Sequence, residues 1–198
     1  MNIWLLGDSI RMQYEKYVKS KCPDIKVFAP SENCRFSSFM LNSLRFWLPS
    51  FEKPDIIFFN AGLWDTACLY VDDGPFTIKE QYVKNITSIA RELSRHKVPI
   101  VFLTSTPVNA EQISAVATPS IDAPDAATVF KQDNQRINEY NQAVIEPLKA
   151  KNVHILDAFS LFINEREKYI SKDGIHLNEA GTAKLGDAIV ECINEILK

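Results

Sequence analysis

The sequence predicts an α/β fold, with a five-stranded parallel sheet covered by helices on both faces, in one domain spanning residues 1–198. Three observations carry this reading. Short apolar or β-branched runs alternate with amphipathic stripes along the whole chain. Runs such as Ile56-Ile57-Phe58-Phe59 are continuously apolar rather than alternating, as strands buried on both faces must be. A chain of 198 residues is also long enough to bury one core of this kind.

Strands are expected at Asn2–Leu6, Lys26–Ala29, Asp55–Asn60, Ile100–Thr104 and Val153–Leu156, each bounded by turn residues. The stripe Ile10, Tyr14, Tyr17, Val18 predicts the first helix, and Phe36, Met40, Leu44, Trp47, Leu48 the second. Ile78, Tyr82, Ile86, Ile89, Leu93 predict a third, Ile137, Tyr140, Val144, Leu148 a fourth, and Leu185, Ile189, Cys192, Ile193, Ile196 a fifth. Right-handed crossovers bring the C-terminal ends of all parallel strands to one rim. Ser9, Asn60, Thr104 and the segment Asp173–His176 therefore face that rim. Residues 105–132 hold Pro107, Pro119 and Pro124 with no clear period, and read as a long loop forming a lid or wall beside the site.

The formal charge of −3 and the scattering of Lys and Arg leave no basic stripe for a phosphate backbone, so nucleic acid is not an expected partner. Cys22, Cys34, Cys68 and Cys192 are far apart, with no C-x-x-C pair and no histidine at ligand spacing. They read as free thiols, and no metal site is expected. No apolar run approaches the ~20 residues that span a bilayer, and Met1 leads directly into the first strand. The expected protein is cytoplasmic, with no membrane partner.

Two short motifs carry chemistry. Gly7-Asp8-Ser9 places a serine at a strand-to-helix turn, where its hydroxyl is exposed and its N–H lies at the positive end of a helix. Asp173-Gly174-Ile175-His176 sets an aspartate three residues before a histidine. Together they outline a Ser-His-Asp nucleophilic site. The structural alternatives are a helix N-cap for Asp8 or Ser9 and a surface-loop or capping histidine for His176. His96, between Arg95 and Lys97, suits a helix C-terminus, and His154 inside the fifth strand suits a structural, partly buried role. Arg11 reads as part of a solvated helix face. Arg35, in an otherwise uncharged stretch, and Trp64, just beyond the third strand, are candidate substrate-binding residues.

With these motifs in this order and at these ends, the chain resembles the SGNH (GDSL-like) hydrolases over nearly its whole length. The resemblance implies a flavodoxin-like α/β/α sandwich, Ser9 as nucleophile, His176 as base, Asp173 as its orienting group, and ester hydrolysis with no metal or other cofactor. The middle blocks depart from the family pattern. Gly62-Leu63-Trp64-Asp65 has Trp64 where the usual oxyanion-binding Asn stands, so the Asn60 amide is the nearest substitute. Asn33-Cys34-Arg35 stands where a glycine N–H is usual; Cys34 aligns best, with Asn33 and Arg35 as alternatives. The oxyanion hole expected is then Ser9 N–H, a backbone N–H at Cys34, and the Asn60 amide. The motif style resembles carbohydrate O-acyl esterases and O-acyltransferases. It implies removal of a short acyl group, acetyl first, from an acylated sugar or other small polar ester. The rivals are an O-acyltransferase of the same fold and a non-catalytic carbohydrate-binding module.

Overall fold

In the computed structural model, which describes residues 1–68, 74–113, 118–120, 123–128 and 131–196, each apolar run forms a strand. They are β1 (Asn2–Leu6), β2 (Lys26–Phe28), β3 (Ile56–Phe59) and β4 (Ile100–Leu103), and, after a separate ribbon of β5 (Thr118–Ser120) and β6 (Ala123–Thr128), β7 (Val153–Leu156). The five long-range partners pair in the order β2-β1-β3-β4-β7, all parallel, with Ile3 opposite Ile56, Ile57 opposite Ile100, and Val101 opposite His154. Successive side chains leave opposite faces of a strand. Ile3, Leu5, Ile56, Phe58, Val101 and Leu103 thus fill one core, and Trp4, Leu6, Ile57, Phe59, Ile100 and Phe102 the other.

The helices are α1 (Ser9–Lys21), α2 (Ser37–Trp47), α3 (Leu63–Thr66), α4 (Lys79–Leu93), α5 (Ala110–Ile113), α6 (Asn134–Lys149), α7 (Ala158–Phe162), α8 (Arg166–Tyr169) and α9 (Glu179–Ile196). α1 and α9 cover the first face through Tyr14, Val18, Leu185, Ile189 and Ile193. α2, α4 and α6 cover the second through Met40, Leu44, Tyr82, Ile86, Ile89, Tyr140 and Val144. Each fully buried Leu, Ile or Phe contributes about 1.5–3 kcal/mol relative to exposure. Truncating Phe58, which is wholly buried in the central strand, would cost about 3–5 kcal/mol.

The chain runs outward from β1 to β2 and then crosses back to β3 on the other side of β1. That reversal is the point where an open α/β sheet leaves a crevice at the strand C-termini. Ser9 follows β1 and Asn60 follows β3, so both flank it.

The long loop expected over 105–132 is partly structured. It contains α5 and the antiparallel β5–β6 ribbon, with Thr118 opposite Thr128 and Pro119 opposite Ala127. Asn134 fastens its start, accepting from the Val108 N–H at 2.8 Å and donating to the Val108 carbonyl at 2.8 Å. The ribbon is rich in Ala and Pro and lacks an alternating apolar pattern, which hides it from periodicity. The lid reading falls in part on residues 114–117, 121–122 and 129–130, outside the described residues. The four cysteines are free thiols. Among the described residues no helix is long and apolar enough to cross a membrane.

Candidate active site

The turn after β1 is built around close approach. A Cβ on Gly7 would lie 2.0 Å from Asn60 Oδ1 and 2.7 Å from Arg11 Cβ, so only glycine fits. Asp8 caps α1: its Oδ1 accepts from the Ile10 N–H at 3.0 Å and from Asn60 Nδ2 at 3.0 Å. Ser9 is the first helical residue, so its N–H has no intrahelical acceptor and sits at the positive end of the helix.

The second segment meets it from the far end of the sequence. His176 Nε2 lies 2.9 Å from Ser9 Oγ, and His176 Nδ1 lies 2.6 Å from Asp173 Oδ2. Asp173 Oδ1 accepts from Ser171 Oγ at 2.7 Å and from the N–H groups of Ile175 and His176, each at 2.9 Å. Burial opposes the Asp173 charge, but the Ile175 N–H, the His176 ring, the Ser171 hydroxyl and the His176 N–H outweigh it and hold the carboxyl well below the usual carboxylate range. Gly174 has φ +78°, and a Cβ there would meet the Asn109 carbonyl at 2.6 Å. The Asn109 N–H in turn donates to the Gly174 carbonyl at 2.7 Å, tying this loop to the segment after β4. A hydroxyl bonded to an imidazole whose other nitrogen is held by an ionised carboxylate can give up its proton as the oxygen attacks an electrophile.

The expected oxyanion donors are placed differently from one another. Ser9 N–H is without a helical acceptor, as a first-turn donor must be. The Cys34 N–H is not available, because it donates to the Gly7 carbonyl at 3.1 Å, and this corrects the sequence-based expectation. The alternative at Arg35 is also engaged, its N–H donating to Asn33 Oδ1 at 2.7 Å. Asn60 is buried at the rim with one amide hydrogen on Asp8, which leaves the second amide hydrogen. Asn60 Oδ1, Asp8 Oδ2 and Thr106 Oγ1 are buried without a hydrogen-bond partner among the described residues. Burial pushes the Asp8 carboxyl up, opposed by the Asn60 amide and the Ile10 N–H.

Trp64 lies half-buried on α3. Its neighbour Asp65 is buried and accepts from the Ser37 N–H at 2.9 Å and Ser37 Oγ at 2.6 Å, which pins the start of α2 to α3. Arg35 is exposed, in the left-handed region at φ +51°, with its guanidinium 5.1 Å from the Phe39 ring centre. Phe36 and Phe76 pack against each other at a tilt of 52°, ring centres 4.7 Å apart. Arg11 is not on a solvated face: it is 2 % exposed, bonded to Glu15 at 2.6 Å and to the Glu32 carbonyl at 2.6 Å. His154, on β7 at the edge of the sheet, is exposed rather than partly buried. His96 packs edge-on against Trp4, ring centres 4.5 Å apart. Sequence reasoning passed over Gln13, which pairs with the backbone next to His176; its position four residues after Ser9, on the same helical face, was the available signal.

The model of the GDSL-like Lipase/Acylhydrolase family matches residues 37–184, well over half of the chain, and the chain belongs to that family. It is therefore an enzyme of the class that hydrolyses ester bonds. The match takes in Asp173 and His176 and begins after Ser9. No curated protein sequence matches the chain. Among solved structures it is similar to a lipase/acylhydrolase from Enterococcus faecalis at 18 % identity, covering 97 % of this chain and 94 % of that one, with a TM-score of 0.73. An acetyl xylan esterase is similar at 15 % identity, covering 98 % and 100 %, TM-score 0.70. The psychrotrophic esterase EstA from Pseudoalteromonas sp., in a structure inhibited by monoethylphosphonate, is similar at 15 % identity, covering 99 % and 98 %, TM-score 0.69. These likenesses establish the α/β/α fold with its five-stranded parallel sheet.

Proposed function

We propose that the protein is a serine esterase that removes a short acyl group, acetyl first, from an acylated sugar or a similar small polar ester. The observation that carries the reading is the hydrogen-bonded chain from Ser9 Oγ through His176 to Asp173, at 2.9 Å and 2.6 Å. Ser9 Oγ attacks the carbonyl carbon while His176 Nε2 takes the hydroxyl proton. His176 then returns that proton to the departing alcohol oxygen, leaving Ser9 acylated. A water molecule, deprotonated by His176, releases the carboxylic acid. Asp173 stays ionised throughout and fixes the imidazole with Nδ1 protonated. Ser9 N–H and the second Asn60 amide hydrogen receive the oxyanion; Cys34, whose N–H is spent on Gly7, is left out. No metal or organic cofactor takes part in these steps.

Trp64 and Arg35 are the substrate-binding residues of this reading. Trp64 offers an aromatic face just beyond the third strand, and Arg35 holds a cation over the Phe39 ring. An acetyl xylan esterase among the structural neighbours supports the choice of acylated sugar. The test is hydrolysis of an aryl acetate and of acetylated xylooligosaccharides by the wild-type protein and by Ser9→Ala, with and without unacetylated oligosaccharide as acceptor. Both esters are expected to yield acetate with the wild type and none with the variant. Wild-type turnover by folded Ser9→Ala would remove the nucleophile assignment. Acetyl passing to the added oligosaccharide would turn the hydrolase into a transferase.

A further inference from the structure

The two halves of the reactive array come from opposite ends of the sequence. Ser9 belongs to α1, and His176 to a loop that precedes α9. The loop is braced internally: Asp173 accepts from Ser171, Ile175 and His176, and the Ser171 N–H donates to the His176 carbonyl at 2.7 Å. None of these bonds sets its distance from the serine.

Gln13 does. Its Nε2 donates to the Leu177 carbonyl at 2.8 Å, and its Oε1 accepts from the Leu177 N–H at 3.1 Å. One primary amide therefore closes a two-bond ring with the peptide groups of the residue next to His176, much as a neighbouring strand would. Gln13 is one helical turn beyond Ser9, about 6 Å along the axis of a rigid helix. Among the described residues, the Gln13–Leu177 pair is the one direct hydrogen-bonded link between α1 and residues 173–178 besides the Ser9–His176 contact itself. α1 does not need Gln13 to dock. Tyr14 and Val18 are wholly buried beneath it, and Tyr17 Oη donates to Asp187 of α9 at 2.8 Å.

We infer that Gln13 is a positioning residue for the esterase chemistry: it sets the separation of Ser9 Oγ and His176 Nε2 by clamping the Leu177 backbone to the serine's own helix. The inference rests on the proposed roles of Ser9 and His176. The His176 side chain is 37 % exposed, so packing alone does not hold the ring. With the clamp gone, the His176–Asp173 pair stays together, because its bonds are local. The pair drifts relative to the serine, and proton transfer from Ser9 slows.

The experiment compares the wild type with Gln13→Met, which keeps the shape and removes both bonds, and with Gln13→Glu, which when ionised keeps the acceptor for the Leu177 N–H and loses the donor. Aryl acetate hydrolysis is expected to lose kcat by about 10- to 100-fold in Gln13→Met, since misplacement on the order of 1 Å is worth up to about 100-fold, with KM little changed. Gln13→Glu is expected to fall between the two. The downfield proton resonance of His176 Nδ1–H is expected to persist in both variants, reporting an intact His176–Asp173 pair. Wild-type kcat in folded Gln13→Met, or a Gln13→Glu no better than Gln13→Met, overturns the inference. Disappearance of the Nδ1–H resonance also overturns it, because the loop itself would have collapsed. Ser9→Ala in the same assay separates the two failures: if it is fully active, the reading of the site falls, whereas if it is inactive and Gln13→Met is not impaired, only the clamp falls.

Discussion

At the scale of single residues, Asp173 is a side chain with a hydrogen-bond partner on each carboxylate oxygen. Asp173 Oδ1 has three donors and Oδ2 has the imidazole, which orient the carboxylate and hold its pKa below the usual carboxylate range. Arg35 is the opposite case. It adopts a left-handed backbone at φ +51°, a conformation that costs an L-residue with a side chain roughly 1–2 kcal/mol and glycine almost nothing. Its contact with Phe39 returns about 0.5–1 kcal/mol at an exposed site. Arg35→Gly is therefore expected to leave the thermal midpoint unchanged or slightly higher. If Arg35 binds the substrate, the same change raises KM for acetylated oligosaccharides by about tenfold, the loss of one charged hydrogen bond of roughly 1.5 kcal/mol, and leaves aryl acetate hydrolysis alone. An unchanged KM on the oligosaccharides would make Arg35 a loop residue and nothing more.

At the scale of elements, the turn between β1 and α1 joins stability to the site through Asp8. Its carboxyl is wholly buried and pushed up by that burial, even though it caps the helix and holds Asn60. A carboxyl whose folded pKa lies above its unfolded value binds its proton longer in the folded chain. Its contribution is thus fully present below the unfolded pKa, about 3.9, and is lost as pH rises through the folded one. Asp8→Asn keeps an acceptor for the Ile10 N–H and carries no charge, so its denaturant midpoint should decline less with rising pH than that of the wild type. Asp8→Ala should lose about 0.5–2 kcal/mol at low pH, because the cap is gone, and the deficit should shrink as pH rises because the variant has no buried carboxyl to ionise. A parallel pH course for wild type and Asp8→Asn would show that Asp8 is not the group responsible.

The elements themselves were legible where periodicity had room to act. All five strands of the main sheet lie where the apolar runs put them, within a residue at each end. α3, α5, α7 and α8 escaped notice because four or five residues complete barely one turn, too few for a 3.6-residue period to register. Phe36 and Ile78 have the spacing of their stripes but cap α2 and α4 from outside, and Ile78 is exposed. The juxtaposition of Ser9, Asp173 and His176 could be read from two local motifs and the rule that strand ends share a rim. The oxyanion donors could not. Whether the Cys34 N–H is free depends on where the Gly7 carbonyl points, and no side-chain identity records that.

For the whole molecule, the fold brings residues 167 positions apart to 2.9 Å by wrapping the chain so that α1 and α9 lie side by side on one face of the sheet. The outward-then-inward strand order opens the crevice at β1 and β3, and both Ser9 and Asn60 edge it. The central claim is that Ser9, activated by His176, is the nucleophile. A serine-reactive alkyl phosphonate tests it without reference to the natural ester, with the site of attachment read by mass spectrometry of proteolytic fragments and the rate of attachment followed in time. One adduct per chain on the peptide holding Ser9, forming in step with loss of esterase activity and much more slowly in His176→Ala, is the predicted result. An adduct at any other serine accompanying inactivation, or labelling of Ser9 at the same rate in His176→Ala, would contradict it.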